Sequence, residues 1–296
     1  MAAILALAAA AVFGAADFTG GSATRRIPIL TVTLLTSSVG VVLAGVLVAA
    51  LGGEWSASAV GWGALGGTCG LVGLSLLYLG LASGPNRLVS PVSAVLAAVI
   101  PVAVGIGTGD RPDALGMMGL VLAAPASWLV AGGDLLPSAG GDLLPSAGGD
   151  LQPSAGGERA PIPGRSPLLL AAGAGVGFGL FFTCLAQTPD DAGAIPLLAA
   201  RVTSTVLLVV AATQRRPARP ERRGALLAIA AGTLDMSANG LFLWSTRLGD
   251  LAVVGALVSL FPVTTILLAM GILHERLTRS QATGLGLAVV TAALLS

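Results

Sequence analysis

Residues 29–51 read ILTVTLLTSSVGVVLAGVLVAAL and contain no charged side chain. A helix needs about 20 mainly apolar residues to cross the hydrocarbon core of a bilayer, so this run is long enough to span a membrane. The rest of the chain shares the bias, because 55% of its 296 residues are hydrophobic, 10% are charged and the mean hydropathy is +0.91. A soluble domain carries roughly 25% charged residues. The composition therefore predicts a protein that uses lipid as its solvent.

Nine further apolar runs flank this one, and most of the connections between them are short and carry Gly, Pro, Arg or Asp. The pattern predicts an all-α, multi-pass protein of the inner or plasma membrane. The first run lacks the positively charged start of a secretory signal peptide, so we expect it to be a helix of the mature protein. The ten predicted helices are about 3–19, 29–51, 60–83, 88–108, 114–132, 167–187, 193–213, 223–246, 251–272 and 281–295.

A segment of different composition divides the chain into two parts. Residues 133–156 are three tandem octads, GDLLPSAG, GDLLPSAG and GDLQPSAG, and further Gly, Pro and Ser residues follow. Such a composition is typical of a flexible linker. A repeated ligand site on Asp134, Asp142 and Asp150 is the less favoured interpretation. We predict five helices in 1–132, a linker over 133–166, and five helices in 167–296.

The two five-helix parts resemble each other at a constant offset of 165 positions. Asp-Arg at 110–111 aligns with Glu-Arg at 275–276, and Gly-Leu at 119–120 aligns with Gly-Leu at 284–285. An odd number of helices per repeat turns the second repeat upside down relative to the first. Inverted repeats are typical of secondary transporters, whose site lies between the repeats near the midplane. The sequence thus predicts two inverted five-helix repeats and favours a transporter.

A few polar side chains fall inside predicted spans, where an unpaired charge costs several kcal/mol. Arg201 lies in the seventh run, Asp235 and Asn239 lie four residues apart in the eighth, and Asp17 lies near the end of the first. Residues four apart share a helix face, and lipid cannot satisfy that face, so it should point into the bundle. Arg201 is the expected partner of Asp235.

Two interpretations of these residues stay open. In the first, Arg201 binds an anionic group of the cargo, or Asp235 exchanges a proton during the cycle. In the second, a buried pair only fixes the seventh helix against the eighth. Asp17 could lie near the mouth of the cavity or simply reach interfacial water, while Tyr78 and Trp244 could line the cavity or anchor the interface. We predict Arg201, Asp235, Asn239 and Asp17 as the residues of a substrate pathway.

The second half carries a likeness to a known family. It contains GFGLFFTCLA at 177–186, Leu-Phe-Pro-Val at 260–263, Glu-Arg-Leu-Thr at 275–278, and Gly284. In these stretches it resembles EamA-type transporters of the drug/metabolite transporter superfamily. The resemblance implies ten helices in two inverted repeats and the movement of metabolites, amino acids or drugs, often outward.

The first half matches that family more weakly, at GPNRLVSPVSAVLAAVIP and DRPDALGMMG. It also departs from the pattern in two places. Ala97 stands where the repeat offset places Pro262, and Phe13-Gly14 stands where many relatives have Trp-Gly. If these positions shape the pathway, the cargo differs from that of better-known relatives.

The sequence as a whole favours a gradient-driven carrier of a small metabolite, amino-acid-like solute or drug, with export as the expected direction. The expected partners are this cargo, membrane lipid, and a proton or another coupling ion. No catalytic group, cofactor, metal site or nucleic-acid surface is predicted, since net charge is +1, the single His has no second ligand nearby, and no GxxxxGK[ST] or HExxH motif is present. A non-transporting membrane scaffold and an intramembrane enzyme acting on a lipid-linked substrate are the alternatives.

Orientation in the membrane receives two conflicting indications. Most arginines fall in the connections after odd-numbered helices, which by the positive-inside rule places both termini outside. The family resemblance implies both termini in the cytoplasm. The two indications agree only that both termini lie on the same side.

Overall fold

The computed structural model describes residues 1–83, 86–132, 166–212, 220–274 and 277–296. Within these ranges the chain is all helical. The octads at 133–156, Gly84 and the Glu-Arg pair at 275–276 lie outside the described residues. The helices are α1 (Ala2–Thr24), α2 (Ile29–Leu51), α3 (Ala57–Ser83), α4 (Asn86–Thr108), α5 (Ala114–Val130), α6 (Pro167–Ala186), α7 (Ile195–Ala212), α8 (Arg222–Leu248), α9 (Leu251–Val258), α10 (Phe261–Leu273) and α11 (Arg279–Leu295).

These helices confirm the predicted all-α membrane protein. Eight spans in the described part of the chain are long and apolar enough to cross a membrane, and α5 is a shorter apolar helix. Large hydrophobic side chains cover the outer surface: Val42, Val121, Leu169 and Val289 are each exposed by 65% or more. Such a surface is stable in hydrocarbon and unstable in water.

The ninth predicted helix, at about 251–272, is interrupted in the structure. Two shorter helices, α9 and α10, occupy this stretch. Pro262 cannot donate a backbone hydrogen bond, and its ring would clash with the carbonyl of Val258, at which α9 ends. The turn between the two helices satisfies its own backbone, since the Leu260 amide donates to Leu257 and the Val263 amide donates to Leu260, at 3.2 and 3.0 Å.

Helices of one half pack mainly on helices of the other half. Helix α1 of the first half packs on α8 of the second half. In the same way, α2 packs on α7 and α3 packs on α6. Helices α1 and α6 correspond to each other at the repeat offset, and their partners α8 and α3 correspond in the same way. This exchange of neighbours is what a twofold relation between the halves would produce.

The bundle has two opposite faces. We call the face on which α1 begins and α11 ends the terminal face. Two contacts lie on it: Gly249, at the end of α8, lies against Ala2, and Asp110 accepts a hydrogen bond from the Ala252 amide at the start of α9. On the opposite side, Arg26 after α1 pairs with Glu221 before α8 at 3.7 Å. We call this the arginine face. Because α6 begins beside the end of α3 on the arginine face, α1 and α6 run in opposite directions.

Close helix contacts depend on glycine at particular positions. A Cβ on Gly67 of α3 would lie 2.7 Å from the Ala200 Cα of α7, and one on Gly177 of α6 would lie 2.6 Å from the Gly73 Cα of α3. Small residues let helix backbones meet in this way where the hydrophobic effect cannot drive their association. They bring α3 against both α6 and α7, and so enclose the space described next.

Candidate functional site

A cavity of about 380 Å³ lies inside the bundle and is lined by residues of both halves. Helices α1 to α4 supply one part of its wall, and α6, α7, α8 and α10 supply the other. All four residues that the sequence predicts for a pathway line it: Asp17, Arg201, Asp235 and Asn239.

Arg201 and Asp235 form an ion pair across this cavity wall, as predicted. The Arg201 side chain is 17% exposed and that of Asp235 is 34% exposed. The guanidinium can lie here because α2 carries glycine opposite it: a Cβ on Gly40 would lie 3.0 Å from Arg201 Cδ. The pair therefore faces the cavity while the Arg201 stem packs between α2 and α7.

Asn239 lies one turn beyond Asp235 on the same face of α8. Its Nδ2 donates to the Asp235 carbonyl at 2.8 Å and to Asp235 Oδ1 at 3.3 Å. The residue is 1% exposed, and its Oδ1 has no hydrogen-bond partner. An unpaired buried amide oxygen costs free energy, and this atom is itself buried rather than exposed to the cavity.

Asp17 reaches the same cavity from α1. The residue has exposed surface, and it lines the same cavity as Asp235. Among the described residues, no ion pair or hydrogen bond neutralises it. Among the described residues, the cavity wall thus holds two carboxylates and one guanidinium.

Phenylalanine forms much of the remaining wall. Phe13, Phe178, Phe181, Phe182 and Phe261 line the cavity, five of the seven in the chain. The ring of Phe182 lies edge-on to Phe13 at 5.7 Å and packs on Phe242 at 4.8 Å, measured between ring centroids. Phe242 is fully buried in the main hydrophobic core, so these rings close the inner end of the cavity.

The described lining of the cavity runs from the middle of the bundle toward the arginine face. Along α1 its lining runs from Phe13 to Thr24, the last residue of the helix, which is a distance of about 16 Å. Ser90 near the start of α4 and Ala131 just after α5 also line this end. Beyond Phe13, the hydrophobic core occupies the space toward the terminal face.

Other polar residues singled out in the sequence lie elsewhere. Trp244 does not line the cavity; Arg247 lies over its ring at 5.8 Å and donates to the Gly193 carbonyl at 2.7 Å. The side chain of Tyr78 lies outside the described residues. No cluster of potential metal ligands occurs in the part of the chain that the structure describes.

Sequence reasoning missed most of the apolar lining. An inward-facing phenylalanine and a lipid-facing one look alike in a uniformly apolar run, so periodicity gives no signal. It also missed Ser204, one turn after Arg201, whose Oγ donates to the Gly67 carbonyl at 2.8 Å and fixes α7 against α3. The one available signal was the repeat offset, which aligns Phe13 with Phe178.

Comparison with known proteins supports the resemblance noted in the sequence. Residues 165–296 match the EamA-like transporter family, which confirms the predicted relationship over the second half. A protein of known crystal structure has a similar fold, with TM-score 0.71 and 17% identity, over 100% of this chain and 96% of that one. At this identity the likeness concerns the fold alone. No curated protein matches the chain significantly.

Proposed function

We propose that this chain, whose second half is an EamA-like unit, carries a small solute across a membrane through the central cavity by alternating access. One observation carries the proposal. Charged and polar side chains from α1, α7 and α8 converge on one cavity that both halves line. A polar site between the two halves of the bundle is where such a carrier binds its cargo.

The exchanged packing of the two halves supports the same mechanism. If α1 to α5 and α6 to α11 form inverted repeats, a rocking motion would close the arginine face and open the terminal face by equivalent contacts. The domain division at 133–166 and the twofold relation are part of this proposal. In it, Arg201, Asp235 and Asn239 hold the cargo, and Asp17 lies on the route from the arginine face.

Efflux from liposomes tests transport for any cargo found among the small compounds of a cell. Liposomes containing the purified full chain are loaded with an isotopically labelled cell extract, and mass spectrometry follows the compounds that leave. We expect at least one small compound to leave faster than from protein-free liposomes. If none does under any imposed ion gradient, the scaffold alternative replaces the carrier.

Two substitutions then test the site. Arg201→Ala and Asp235→Asn should each lower the efflux of that compound at least tenfold, because each removes a charge that faces the cargo. The matched controls are Arg222→Ala and Asp250→Asn, which change exposed residues away from the cavity and should leave efflux unchanged. Normal efflux through both cavity variants would contradict the site while leaving transport intact.

A further inference from the structure

Two connections of the chain meet on the terminal face through their backbones. The Glu54 amide in the α2–α3 connection donates to the Asp191 carbonyl in the α6–α7 connection at 2.9 Å. A Cβ on Gly53 would lie only 2.5 Å from the Ala192 carbonyl oxygen, and the φ angle of Gly53 is +135°, which other residues rarely adopt. The first half therefore contacts the second here by main-chain atoms, and the contact depends on the shape of both connections.

A hydrophobic cluster lies beside this contact. Ala59 of α3, in the first half, packs with Ala192 and Ile195 of the second half, and all three residues are fully buried. Water screens polar contacts poorly next to such a cluster, which strengthens the hydrogen bonds of a charged donor. A charged side chain that holds one of the connections in shape is therefore more effective here than on an open surface.

Arg247 is such a donor. The α6–α7 connection forms a 3-10 turn at Asp190–Ala192, and Arg247, near the end of α8, reaches the carbonyl groups on both sides of this turn. Its Nη2 donates to the Gly193 carbonyl at 2.7 Å and approaches the Pro189 carbonyl at 3.5 Å. The ring of Trp244, one turn earlier in α8, lies 5.8 Å from the guanidinium carbon and holds it by a cation–π contact. One half-buried guanidinium thus spans the turn that contacts the first half.

A simpler role for a cation at this place is to offset the negative end of the α8 dipole. A side chain that served only this purpose would stay near the last carbonyl groups of its own helix. Arg247 donates instead to the connection between two other helices. Among the described residues, these hydrogen bonds lie within the second half, so any effect of Arg247 on the first half passes through the α6–α7 connection.

The internal repeat makes this brace one-sided. At the offset of 165 positions, Ala82 stands where the second half has Arg247. Alanine has no side-chain donor, so the first half has no equivalent group at that position. In a carrier that alternates between two states, a brace on one face alone favours the state in which that face is closed.

From these observations we infer that Arg247 is a positioning residue for the closed terminal face. By holding the α6–α7 connection, it keeps the Asp191 carbonyl against the Glu54 amide and biases the carrier toward the state that is closed on this face. The inference rests on the proposed function and specifies what controls the balance between its two states. Arg247 does not line the cavity, so it acts on the cycle and not on the cargo.

Hydrogen exchange of the Glu54 amide tests the inference without depending on transport. The purified full chain in lipid nanodiscs is transferred to heavy water, and mass spectrometry follows the peptides that contain Glu54 and Gly193. In Arg247→Ala we expect the Glu54 peptide to exchange roughly tenfold faster, because the loss of charge-assisted hydrogen bonds releases the connection that protects it. If Arg247 only shaped its own connection, exchange would rise near Gly193 and stay the same at Glu54.

Two further variants complete the comparison. Arg247→Lys keeps the charge, but an ammonium lacks the planar fork that spans two carbonyl groups, so we expect an exchange rate between those of Arg247→Ala and the unaltered protein. Arg111→Ala removes an exposed arginine on the same face and should leave the rate unchanged. If Arg247→Ala does not fold, the comparison of Arg247→Lys with the unaltered protein decides.

The inference is overturned if exchange at Glu54 is unaltered in a folded Arg247→Ala variant, or in Arg247→Lys where alanine is not tolerated, or if Arg111→Ala raises it equally. Its failure is distinct from failure of the proposed function. A carrier whose terminal contact does not depend on Arg247 would still release a compound from the loaded liposomes, whereas release of no compound would contradict transport whatever the exchange rates.

Discussion

Arg201 and Asp235 carry opposite charges in the middle of an apolar bundle, where an unpaired charge would be costly. Their pairing explains how each charge is tolerated there, because each is the other's partner and both face a cavity. In the proposed function the pair serves the cargo as well as the packing of α7 against α8. Stability and transport can be measured separately, so the two roles can be separated.

A double-mutant cycle measures the architectural part. Arg201→Ala and Asp235→Ala each leave one charge without a partner, which costs about 3–5 kcal/mol at fully buried sites. We expect about 1–3 kcal/mol here because the Asp235 side chain is one third exposed to the cavity. Unfolding is measured in detergent micelles. The loss of unfolding free energy in the double variant should be at least ~1 kcal/mol smaller than the sum of the losses in the two single variants.

Transport by the same double variant completes this test. If the pair also serves the cargo, the double variant regains stability and remains inactive. Additive losses of stability would show that the two side chains do not interact, and recovery of efflux would confine the pair to an architectural role.

At the scale of elements, the contact between α1 and the α9–α10 break fixes the inner end of the cavity. Gly14 lies against α10, and a Cβ there would be 2.7 Å from Thr264 Cβ and 2.9 Å from the Thr265 amide nitrogen. Thr265 Oγ1 also donates to the Gly14 carbonyl at 3.1 Å. This contact holds the two cavity-lining rings Phe13 and Phe261 on neighbouring helices.

Alanine at Gly14 should therefore push α1 away from α10. We expect Gly14→Ala to lower the melting temperature by several degrees, since backbone atoms cannot move aside as a flexible side chain does. Gly20→Ala is the matched control on the same helix, because its Cβ would meet only Ala231 Cβ at 3.7 Å. That control should be neutral or slightly stabilising, as alanine favours a helix interior. Equal melting temperatures for the two variants would contradict a tight α1–α10 contact.

The elements also show how far the sequence alone could lead. Apolar length located the membrane spans, because hydrocarbon imposes one strong requirement on each. It could not find the break before Pro262 within a continuous apolar run, since the alternative backbone bonds form only in the folded turn. Polar residues inside spans identified Asp17, Arg201, Asp235 and Asn239, but their joint placement on one cavity depends on packing between helices distant in sequence.

At the scale of the whole molecule, the two faces differ in charge. Both chain ends lie on the terminal face, as an even number of crossings requires. Its described charged residues are mostly acidic, whereas those of the arginine face are mostly basic, with Arg25, Arg26, Arg222, Arg223 and Arg279 against Glu221. The positive-inside rule predicts that the arginine face is cytoplasmic, whereas the family resemblance implies the opposite orientation.

In the proposed mechanism, movement between two states requires the terminal face to open. There the α2–α3 connection of the first half meets the α6–α7 connection of the second: the Glu54 amide donates to the Asp191 carbonyl at 2.9 Å. Both residues are exposed at the surface. A rocking motion of the halves must separate them, so a covalent bond between them would stop the cycle.

A reversible disulfide across this contact tests alternating access most directly. Glu54→Cys and Asp191→Cys are combined in a chain whose own Cys69 and Cys184 are replaced by alanine, and the single-cysteine variants serve as controls. Efflux of the transported compound is measured after oxidation and again after reduction. The account predicts that the oxidised, cross-linked protein is inactive and regains full efflux on reduction, while both controls are unaffected. Unchanged efflux from fully cross-linked protein would contradict it.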